Sequence, residues 1–294
     1  MTIKVRQIGP GFAGEVVDFD TSKPPSKADA DAIHTAMDEY AVLVFHDQKI
    51  SKEQQLAFTQ SLGEIEYTRP TLRKAEDERL PATFADVSNL DKNNKPYARD
   101  DRARLFLISN RLWHSDSSYK VVPSKYSLLY ASSVTSRGGN TEFADMRAAY
   151  DALDEETKAQ AEDLVCEHSQ VFSRSQLGFT DFTDDERAER YKPVLQRLVR
   201  THPVTKRKSL YLSSHGGTIV GWPLPEAKAF LRDLNEAATQ REFVYAHKWK
   251  VGDLVMWDNR TTMHRTRPYP NDEPRDMRRT TVMGDAPTVA QQAA

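Results

Sequence analysis

Short strand-like segments recur along this chain of 294 residues, without a regular alternation of strands and helices. Apolar or β-branched runs of strand length occupy residues 41–45, 126–134, 141–144, 210–213, 242–249, 254–258 and 278–283. Such runs, with turn residues such as Gly138 and Gly139 between them, are typical of a sandwich or a barrel. A doubly wound parallel sheet would require a helix after almost every strand. We therefore predict a mainly β fold.

Helical patterns are few and fall between the strands. Residues 26–40 and 225–240 have apolar side chains at helical spacing, and residues 146–164 are rich in Ala, Glu, Asp and Lys. Ser51 and Gln54 form the capping-box pattern that starts a helix. We expect these helices to lie at the periphery of the sheets.

The length of the chain and the spacing of its segments favour a single domain. We assign residues 1–284 to this domain and residues 285–294 to a polar C-terminal tail that should fray. Residues 67–111 are polar and interrupted by prolines, so we expect long loops there. Long loops on a compact domain often carry function.

The charge balance argues against several classes of protein. The chain carries 41 Lys and Arg residues against 43 Asp and Glu residues, a formal net charge of -2, which disfavours nucleic-acid binding. No run approaches the roughly 18 apolar residues of a membrane span, and residues 1–20 lack the pattern of a secretory signal. We therefore expect a cytoplasmic protein. A dense group of arginines between Arg260 and Arg279 is the local exception, and it suits an anionic small molecule.

Cys166 is the only cysteine in the chain. An intrachain disulfide and a thiolate metal cluster are both excluded, so any metal site must be built from histidines and carboxylates. The apolar neighbours Leu164 and Val165 favour a buried strand position for this thiol over a nucleophilic role.

Two histidines stand in patterns that suit a metal ion. His114 and Asp116 are two residues apart, so on an extended strand their side chains would share a face. His264 follows the strand-like residues 254–258, where we expect a strand to run into a loop, with a turn at residues 257–259 presenting the histidine. Two histidines and a carboxylate form the facial triad of non-heme Fe(II) sites. A His-x-Asp pattern also arises by chance or as a structural hydrogen bond, so these residues alone leave both interpretations open.

Longer motifs extend this pattern over nearly the whole chain. They comprise residues 42–45, 54–55, 112–118, 138–143, 145–153, 240–245 and 251–260. With them the chain resembles the Fe(II)/2-oxoglutarate-dependent dioxygenases of the taurine dioxygenase group, and within it most closely the 2,4-dichlorophenoxyacetate dioxygenases. The resemblance implies a double-stranded β-helix, the jelly-roll or cupin-like fold, with peripheral helices.

The resemblance also implies roles for individual residues. His114, Asp116 and His264 match the Fe(II) ligands and catalytic centre, while Thr141 and Arg275 match the pair that binds the distal carboxylate of 2-oxoglutarate. The expected cofactors are Fe(II), 2-oxoglutarate as cosubstrate and O2, with ascorbate as an activator.

The substrate pocket is matched less closely. Arg279 matches the position that receives the anionic end of the substrate, and Asn110, Ser117 and Lys95 match further pocket positions. Thr71 stands where the phenoxyacetate enzymes have a lysine, and either Arg69 or Arg73 could supply the missing charge.

Neighbouring residues have simpler interpretations. Arg278 should point away from Arg279 and be solvated or salt-bridged, and Trp113 should pack in the core. The six other histidines have no partner pattern, so we expect none to be a ligand, although His215 could lie at the mouth of the pocket.

The activity implied by the resemblance is hydroxylation of an anionic organic substrate. An aryloxyalkanoate such as 2,4-dichlorophenoxyacetate would give a phenol, a 2-oxo acid (glyoxylate), succinate and CO2. The alternatives are taurine, an alkylsulfonate or an alkyl sulfate as substrate or, from other classes, a non-catalytic cupin-like binding module or a metal hydrolase. The expected partner is a small anionic molecule, with no nucleic acid and no membrane, and the resemblance allows a homo-oligomer.

Overall fold

A seven-stranded sheet dominates the computed structural model, which describes residues 3–68 and 78–290. In spatial order its strands are β1 (Lys4–Gln7), β2 (Ala13–Val17), β3 (Val42–Phe45), β13 (Leu254–Asp258), β5 (Tyr126–Ser133), β15 (Asp276–Val282) and β4 (Ala85–Asp86). All neighbours are antiparallel except β2 and β3. The sheet therefore brings together strands from both ends of the chain.

Three smaller sheets complete the β structure of the described residues. The first small sheet has the strand order β12 (Val244–His247), β6 (Thr141–Asp145), β14 (Thr262–Thr266). The second has the order β11 (Gly216–Ile219), β7 (Val165–His168), β8 (Val194–Arg197). The third pairs β9 (Val199–Thr201) with β10 (Lys208–Leu210). The α-helices are α1 (Lys27–Tyr40), α2 (Lys52–Gln60), α3 (Arg102–Leu107), α4 (Met146–Asp151), α5 (Glu155–Ala161), α6 (Gln170–Ser175) and α7 (Leu224–Ala238). A π-helical turn spans Glu186–Arg190, and short 3-10 helices span Ile108–Arg111, Arg241–Phe243 and Thr288–Ala290.

Side chains alternate between two cores across the large sheet. Along β13, Leu254 and Met256 join an outer cluster with residues of α1 and α2, whereas Val255 and Trp257 join an inner cluster. This alternation follows from the two-residue period of a strand. Both faces are apolar because both are covered, which explains the continuous apolar run at residues 254–257.

The sheet of β12, β6 and β14 covers the inner face of the large sheet. Phe143 of β6 belongs to the inner cluster, and its ring lies 5.4 Å from that of Trp257. On the far side, Ala144 and Met263 pack in a third cluster with residues of α4 and α7. The molecule is thus mainly β, with two facing sheets and helices outside them, as the sequence predicts.

The predicted helix starts are confirmed. The Ser51 hydroxyl accepts from the Gln54 backbone, and the Gln54 side chain accepts from the Ser51 backbone, which completes the capping box of α2. The Ser26 hydroxyl caps α1 by accepting from the Asp29 backbone.

Two local expectations are wrong. The predicted loop region 67–111 contains α3, which Asp101 caps through the backbone of Ala103 and Arg104. The predicted helix at 146–164 is broken in two, because Asp154 starts α5 by capping Thr157. These local side-chain caps outweigh the composition of the segments.

The C-terminal tail does not fray up to residue 290. Thr288 is fully buried, and its hydroxyl donates to Gln196 of β8 at 2.6 Å and accepts from the Arg197 backbone at 3.0 Å. A short 3-10 helix therefore docks the tail against the second small sheet.

Cys166 lies buried in β7, as expected. Burial raises the pKa of its thiol to about 12, so it is protonated and unreactive at neutral pH. Among the residues that the structure describes, no helix has the length and apolar character required to cross a bilayer.

Gln55 fastens α2 to β15, the strand that carries Arg278 and Arg279. Its side chain is fully buried, and its Oε1 accepts from Arg278 Nε at 2.8 Å while its amide nitrogen reaches the Leu128 carbonyl at 3.3 Å. Both ends of the amide are therefore used inside the protein.

We predict that Gln55→Ala lowers the free energy of unfolding by about 2 kcal/mol, because it leaves a cavity and removes the acceptor of a partly buried guanidinium. Urea denaturation measures the change. Gln54→Ala, whose side chain serves only the exposed helix cap, is the matched control and should cost about 1 kcal/mol or less. Equal losses in the two variants would contradict the assigned role.

Candidate active site

A pair of backbone hydrogen bonds joins the two histidines singled out in the sequence. The His114 N–H donates to the His264 carbonyl at 3.0 Å, and the His264 N–H donates to the His114 carbonyl at 2.8 Å. His264 is on β14, within the strand, so the predicted loop position is wrong. The imidazole rings consequently lie close together, with centroids 4.2 Å apart.

Asp116 completes a triad with His114 and His264. Its two carboxylate oxygens lie 4.0 Å from His114 Nε2 and 3.7 Å from His264 Nε2. All three residues are buried, and one potential ligand atom of each lies within 4.8 Å of the others. His114 contributes only an isolated bridge and Asp116 begins a turn, so the expected extended strand is wrong although the side chains do converge.

The protonation of the triad suits a metal ion. The His114 Nδ1 lies 2.8 Å from the Leu112 carbonyl, to which it must donate, so Nε2 carries the free lone pair. Burial lowers the pKa of His114, and burial together with His114 lowers the pKa of His264 to about 3. Both imidazoles are therefore neutral at neutral pH, the form that coordinates metals.

Asp116 is ionised despite its burial. Burial on its own would raise its pKa, but the positive charge of Arg279 outweighs that effect, and with help from the two histidines lowers the pKa to about 2. Arg279 Nη1 donates a short hydrogen bond to Asp116 Oδ1. The triad thus offers two neutral nitrogens and one anionic oxygen.

A chain of hydrogen bonds orients the Asp116 carboxylate from the large sheet. Ser127 of β5 donates to Asp116 Oδ2 at 2.8 Å, and Asn259 Nδ2 donates to the Ser127 hydroxyl at 2.9 Å. The side-chain oxygen of Asn259, Oδ1, in turn accepts hydrogen bonds from Trp257 Nε1 at 3.0 Å and from the Asp116 backbone N–H at 3.2 Å. The predicted turn begins two residues later than expected: Trp257 and Asp258 end β13, and the turn that starts at Asn259 leads into β14, which carries His264. Asn259 also supports the other ligand, Asp116.

This donor set fits a divalent transition metal. Two imidazole nitrogens and one carboxylate leave open coordination positions and match the facial triad of non-heme Fe(II). The His264 Nδ1 is buried without a partner among the described residues, so the site is not closed by protein hydrogen bonds. The only thiol, Cys166, is in β7 and outside the triad.

Thr141 is on β6, two residues before Phe143, which pairs with His264 of the neighbouring strand β14. In the register of β6 and β14, Phe143 faces His264 and Thr141 faces Thr266, so Thr141 and His264 share a face about 7 Å apart along the strand. Trp249 Nε1 donates to the Thr141 hydroxyl at 2.9 Å. Because the hydroxyl accepts this bond, its own hydrogen is available to a ligand.

Arg275 is a buried guanidinium with no carboxylate partner among the described residues. It donates to the backbone carbonyls of Val87 at 3.2 Å and Gly139 at 3.4 Å. A side chain at Gly139, whose φ is +70°, would place its Cβ 3.3 Å from Arg275 Nε, so glycine allows this approach. Burial lowers the Arg275 pKa without a counter-ion to oppose it. An unpaired buried cation of this kind suits an anionic ligand.

A cavity of about 330 Å³ opens onto the triad. We call it the triad cavity; its walls include His114, Asp116, Asn110, Ser117, Arg279 and Arg174. A smaller cavity reaches Arg275 and shares Val87, Leu107 and Asn110 with it. The two spaces are therefore neighbours on either side of a common wall.

The expected pocket residues are only partly brought together. Asn110 and Ser117 line the triad cavity, and the Ser117 hydroxyl donates to Glu66 at 2.5 Å. Lys95 does not line the triad cavity, so its assignment to the pocket is wrong. It is exposed in a turn, in which its backbone N–H donates to the Asp91 carboxylate. Arg69 and Arg73, like Thr71, lie outside the described residues.

The structure also tests the expectations for Trp113, His215 and Arg278. Trp113 is buried in the third core cluster, as expected. His215 is not part of the triad, but it is buried in the cavity wall, with its ring 5.9 Å from that of His114. Arg278 points away from Arg279 and is partly exposed, as expected. It forms no salt bridge between described residues, and its guanidinium donates to Gln55 and to the Ile50 carbonyl.

Several cavity residues were missed by sequence reasoning. Glu66 forms an ion pair with Lys120 at 2.8 Å, and Tyr119 and Arg174 flank His215. They come from separate loops and from α6, and no local spacing pattern marks them. Only the three-dimensional arrangement identifies them.

Comparison with known proteins agrees with this geometry. The chain is 41% identical over 286 residues to the alpha-ketoglutarate-dependent 2,4-dichlorophenoxyacetate dioxygenase of Cupriavidus pinatubonensis, covering 97% of this chain and 99% of the relative. It is 38% identical to the (S)-phenoxypropionate/alpha-ketoglutarate-dioxygenase of Sphingobium herbicidovorans, covering 84% and 83% of the two chains.

A solved structure is more similar still. The crystal structure of AAD-2 in complex with Mn(II) and N-oxalylglycine superposes with a TM-score of 0.95 at 60% identity, covering 98% of this chain and 100% of that chain. The family described as "Taurine catabolism dioxygenase TauD, TfdA family" matches residues 4–281. The chain therefore belongs to the TauD/TfdA family of dioxygenases.

Proposed function

We propose that this protein is an Fe(II)- and 2-oxoglutarate-dependent dioxygenase that hydroxylates an aryloxyalkanoate such as 2,4-dichlorophenoxyacetate. One observation carries the proposal: the His–Asp–His triad shares a strand face with the Thr141 hydroxyl, and a guanidinium that is buried without a carboxylate partner among the described residues, that of Arg275, reaches the Gly139 carbonyl two residues before Thr141. The relatives named for 2,4-dichlorophenoxyacetate and (S)-phenoxypropionate support the substrate class. Ascorbate is the expected activator.

The proposal assigns this chemistry to one catalytic domain, residues 1–284. Its two facing sheets would be the halves of a double-stranded β-helix, or jelly roll, with the triad between them near one end. The inner cluster that joins Phe143 to Trp257 supports this arrangement. Assembly as a homo-oligomer is a separate expectation that analytical ultracentrifugation tests.

His114, Asp116 and His264 would hold the iron. When bound with 2-oxoglutarate and O2, Fe(II) supplies the oxidising chemistry: the cosubstrate becomes succinate and CO2, and one oxygen atom enters a C–H bond of the substrate. The protein keeps both imidazoles neutral and Asp116 ionised, and Ser127 and Asn259 fix the carboxylate.

Thr141 and Arg275 would bind the distal carboxylate of 2-oxoglutarate. The separation of about 7 Å along the strand between Thr141 and His264 suits a five-carbon diacid that reaches from the triad to the hydroxyl. The complex of AAD-2 with N-oxalylglycine supports a diacid at this place, because that molecule also carries two carboxylates.

Arg279 would receive the anionic group of the substrate in the triad cavity, between Asn110 and Ser117. Nη1 donates to Asp116, and because Arg279 lines the triad cavity its remaining donors can serve a second anion. Hydroxylation of an aryloxyacetate at the carbon next to the ether oxygen gives a hemiacetal, which collapses to a phenol and glyoxylate.

The other functions are less favoured. Taurine, an alkylsulfonate or an alkyl sulfate would also meet Arg279, and a relative named alkylsulfatase is 27% identical. A metal hydrolase would need no 2-oxoglutarate, so Thr141 and Arg275 would have no ligand to bind, and a non-catalytic binding module would form no succinate.

A substrate panel tests the proposal. The protein is assayed with Fe(II), ascorbate and 2-oxoglutarate, and succinate is measured with 2,4-dichlorophenoxyacetate, both phenoxypropionate enantiomers, taurine and an alkyl sulfate. Succinate with equimolar phenol from the aryloxy acids is the expected result. Succinate from only the sulfur compounds would replace the substrate class, and none under any condition would contradict the reaction class.

We predict that His114→Ala lowers succinate formation by more than about a hundredfold, because the triad loses one of its two nitrogen ligands. Mn(II) binding, followed by calorimetry, should weaken in parallel. His34→Ala is the control, since that histidine stacks on Tyr126 away from the triad. Full activity in His114→Ala would overturn the metal assignment.

We predict that Arg275→Met raises the KM for 2-oxoglutarate by about tenfold or more, because the cosubstrate loses a charge-assisted hydrogen bond. Arg275→Lys should recover part of the loss. Arg265→Met, on β14 and paired with Glu142, is the matched control and should leave this KM unchanged. An unchanged KM in Arg275→Met would exclude the assigned contact.

A further inference from the structure

Arg174 is a second buried arginine in the wall of the triad cavity. It lies near the end of α6 and is only 4% exposed, although no pattern in the sequence marks it. Its guanidinium carbon lies 4.1 Å from the centre of the Phe106 ring, which forms another part of the wall. A large cationic side chain is therefore held at the surface of the cavity.

The hydrogen bonds of Arg174 use only part of its donor capacity. Nη1 donates to Ser173 Oγ at 2.8 Å and to His215 Nε2 at 3.1 Å, while Nε is buried without a partner. His215 can accept this bond because its pKa lies well below the ordinary value, owing to burial and the nearby Arg174 charge. Burial also lowers the pKa of Arg174 to about 10, which leaves it charged at neutral pH.

Three carboxylates that line the triad cavity are paired with other cations. Asp116 pairs with Arg279, Glu66 with Lys120, and Asp86 with Arg79. No ion pair between described residues includes Arg174. A buried guanidinium without a counter-ion is unfavourable unless a ligand supplies the negative charge.

Arg279 also has an unused donor, although Asp116 neutralises its charge. It lines the same cavity, and its Nε is buried without a partner among the described residues. Tyr119, whose ring contacts His215, lines this cavity together with Arg174 and Arg279. A ligand that compensates the charge of Arg174 is an anion, and a carboxylate suits a guanidinium best.

We propose that Arg174 is a substrate-binding residue, which together with Arg279 binds the carboxylate of the organic acid. This inference rests on the proposed function, because it concerns the substrate of the same site. His215 accepts from Arg174 and orients its guanidinium, and Phe106 supports the guanidinium plane. The alternative is a structural role, in which Arg174 only fastens α6 to Phe106 and His215.

Steady-state assays of the iron-loaded enzyme separate these roles. Arg174→Met and Arg174→Lys are compared with wild type on 2,4-dichlorophenoxyacetate and on its uncharged primary amide. We expect Arg174→Met to raise the KM for the acid by about tenfold or more, with Arg174→Lys intermediate. The amide should show the same KM in wild type and variant, and the KM for 2-oxoglutarate should not change.

Arg200→Met is the matched control. Arg200 is also buried, lies 4.6 Å from the centre of the Tyr211 ring and has an unpaired nitrogen, Nη1, but it does not line the triad cavity. The variant therefore loses a comparable buried arginine, and its KM for the acid should equal that of wild type. A rise equal to that in Arg174→Met would indicate a general packing effect and overturn the inference.

Two further outcomes contradict the inference. One is an unchanged KM for the acid in folded, active Arg174→Met; the other is an equal rise for acid and amide. If Arg174→Met does not fold, Arg174→Lys decides, because the KM for the acid should also rise relative to the KM for the amide in that variant, and an unchanged ratio of the two values contradicts the inference. Failure of the proposed function is distinct, since wild type would then form no succinate with any aryloxy acid.

Discussion

The reciprocal backbone hydrogen bonds between His114 and His264 hold the site together. They fix two segments that are far apart in the sequence, and they do so through main-chain atoms that any residue supplies. The side chains then need only be histidines for two imidazoles to converge. Asp116 follows in the next turn, and the large sheet orients its carboxylate through Ser127 and Asn259.

Electrostatic compensation allows this site to be buried. Asp116 would resist ionisation in the protein interior, and Arg279 reverses that tendency. Arg275 and Arg174, which we assign to ligands, differ from Arg279 because they are buried without an acidic partner among the described residues. Arg275 and Arg174 are therefore cations in cavity walls whose charge a bound anion would compensate.

The sequence predicts the parts of the fold that local physics determines. The continuous run at residues 254–257 indicates a strand covered on both faces, and the Ser51 capping box marks the start of α2. The helix at Arg102–Leu107 was not predicted, because its start depends on the Asp101 cap within a polar stretch. Strand count alone would not have identified the topology, which came from the family resemblance.

The candidate site could likewise be predicted only in part from the sequence. His114 and Asp116 could be proposed as a pair from their spacing, although the geometry that unites them is a bridge and a turn. Lys95 matched a pocket position but faces solvent, because Asp91 closes its turn away from the cavity. Arg174 and Glu66 have no local pattern, since their neighbours in space come from remote segments.

Val87, Leu107 and Asn110 form a wall that the two cavities share. Under the proposed assignment of Arg275 to the cosubstrate and Arg279 to the substrate, a change of side chain in this wall reshapes both binding spaces at once. Arg174, His215 and Tyr119 line the triad cavity but not the smaller cavity. Changes in that part of the wall would therefore alter substrate preference with the least disturbance of the cosubstrate.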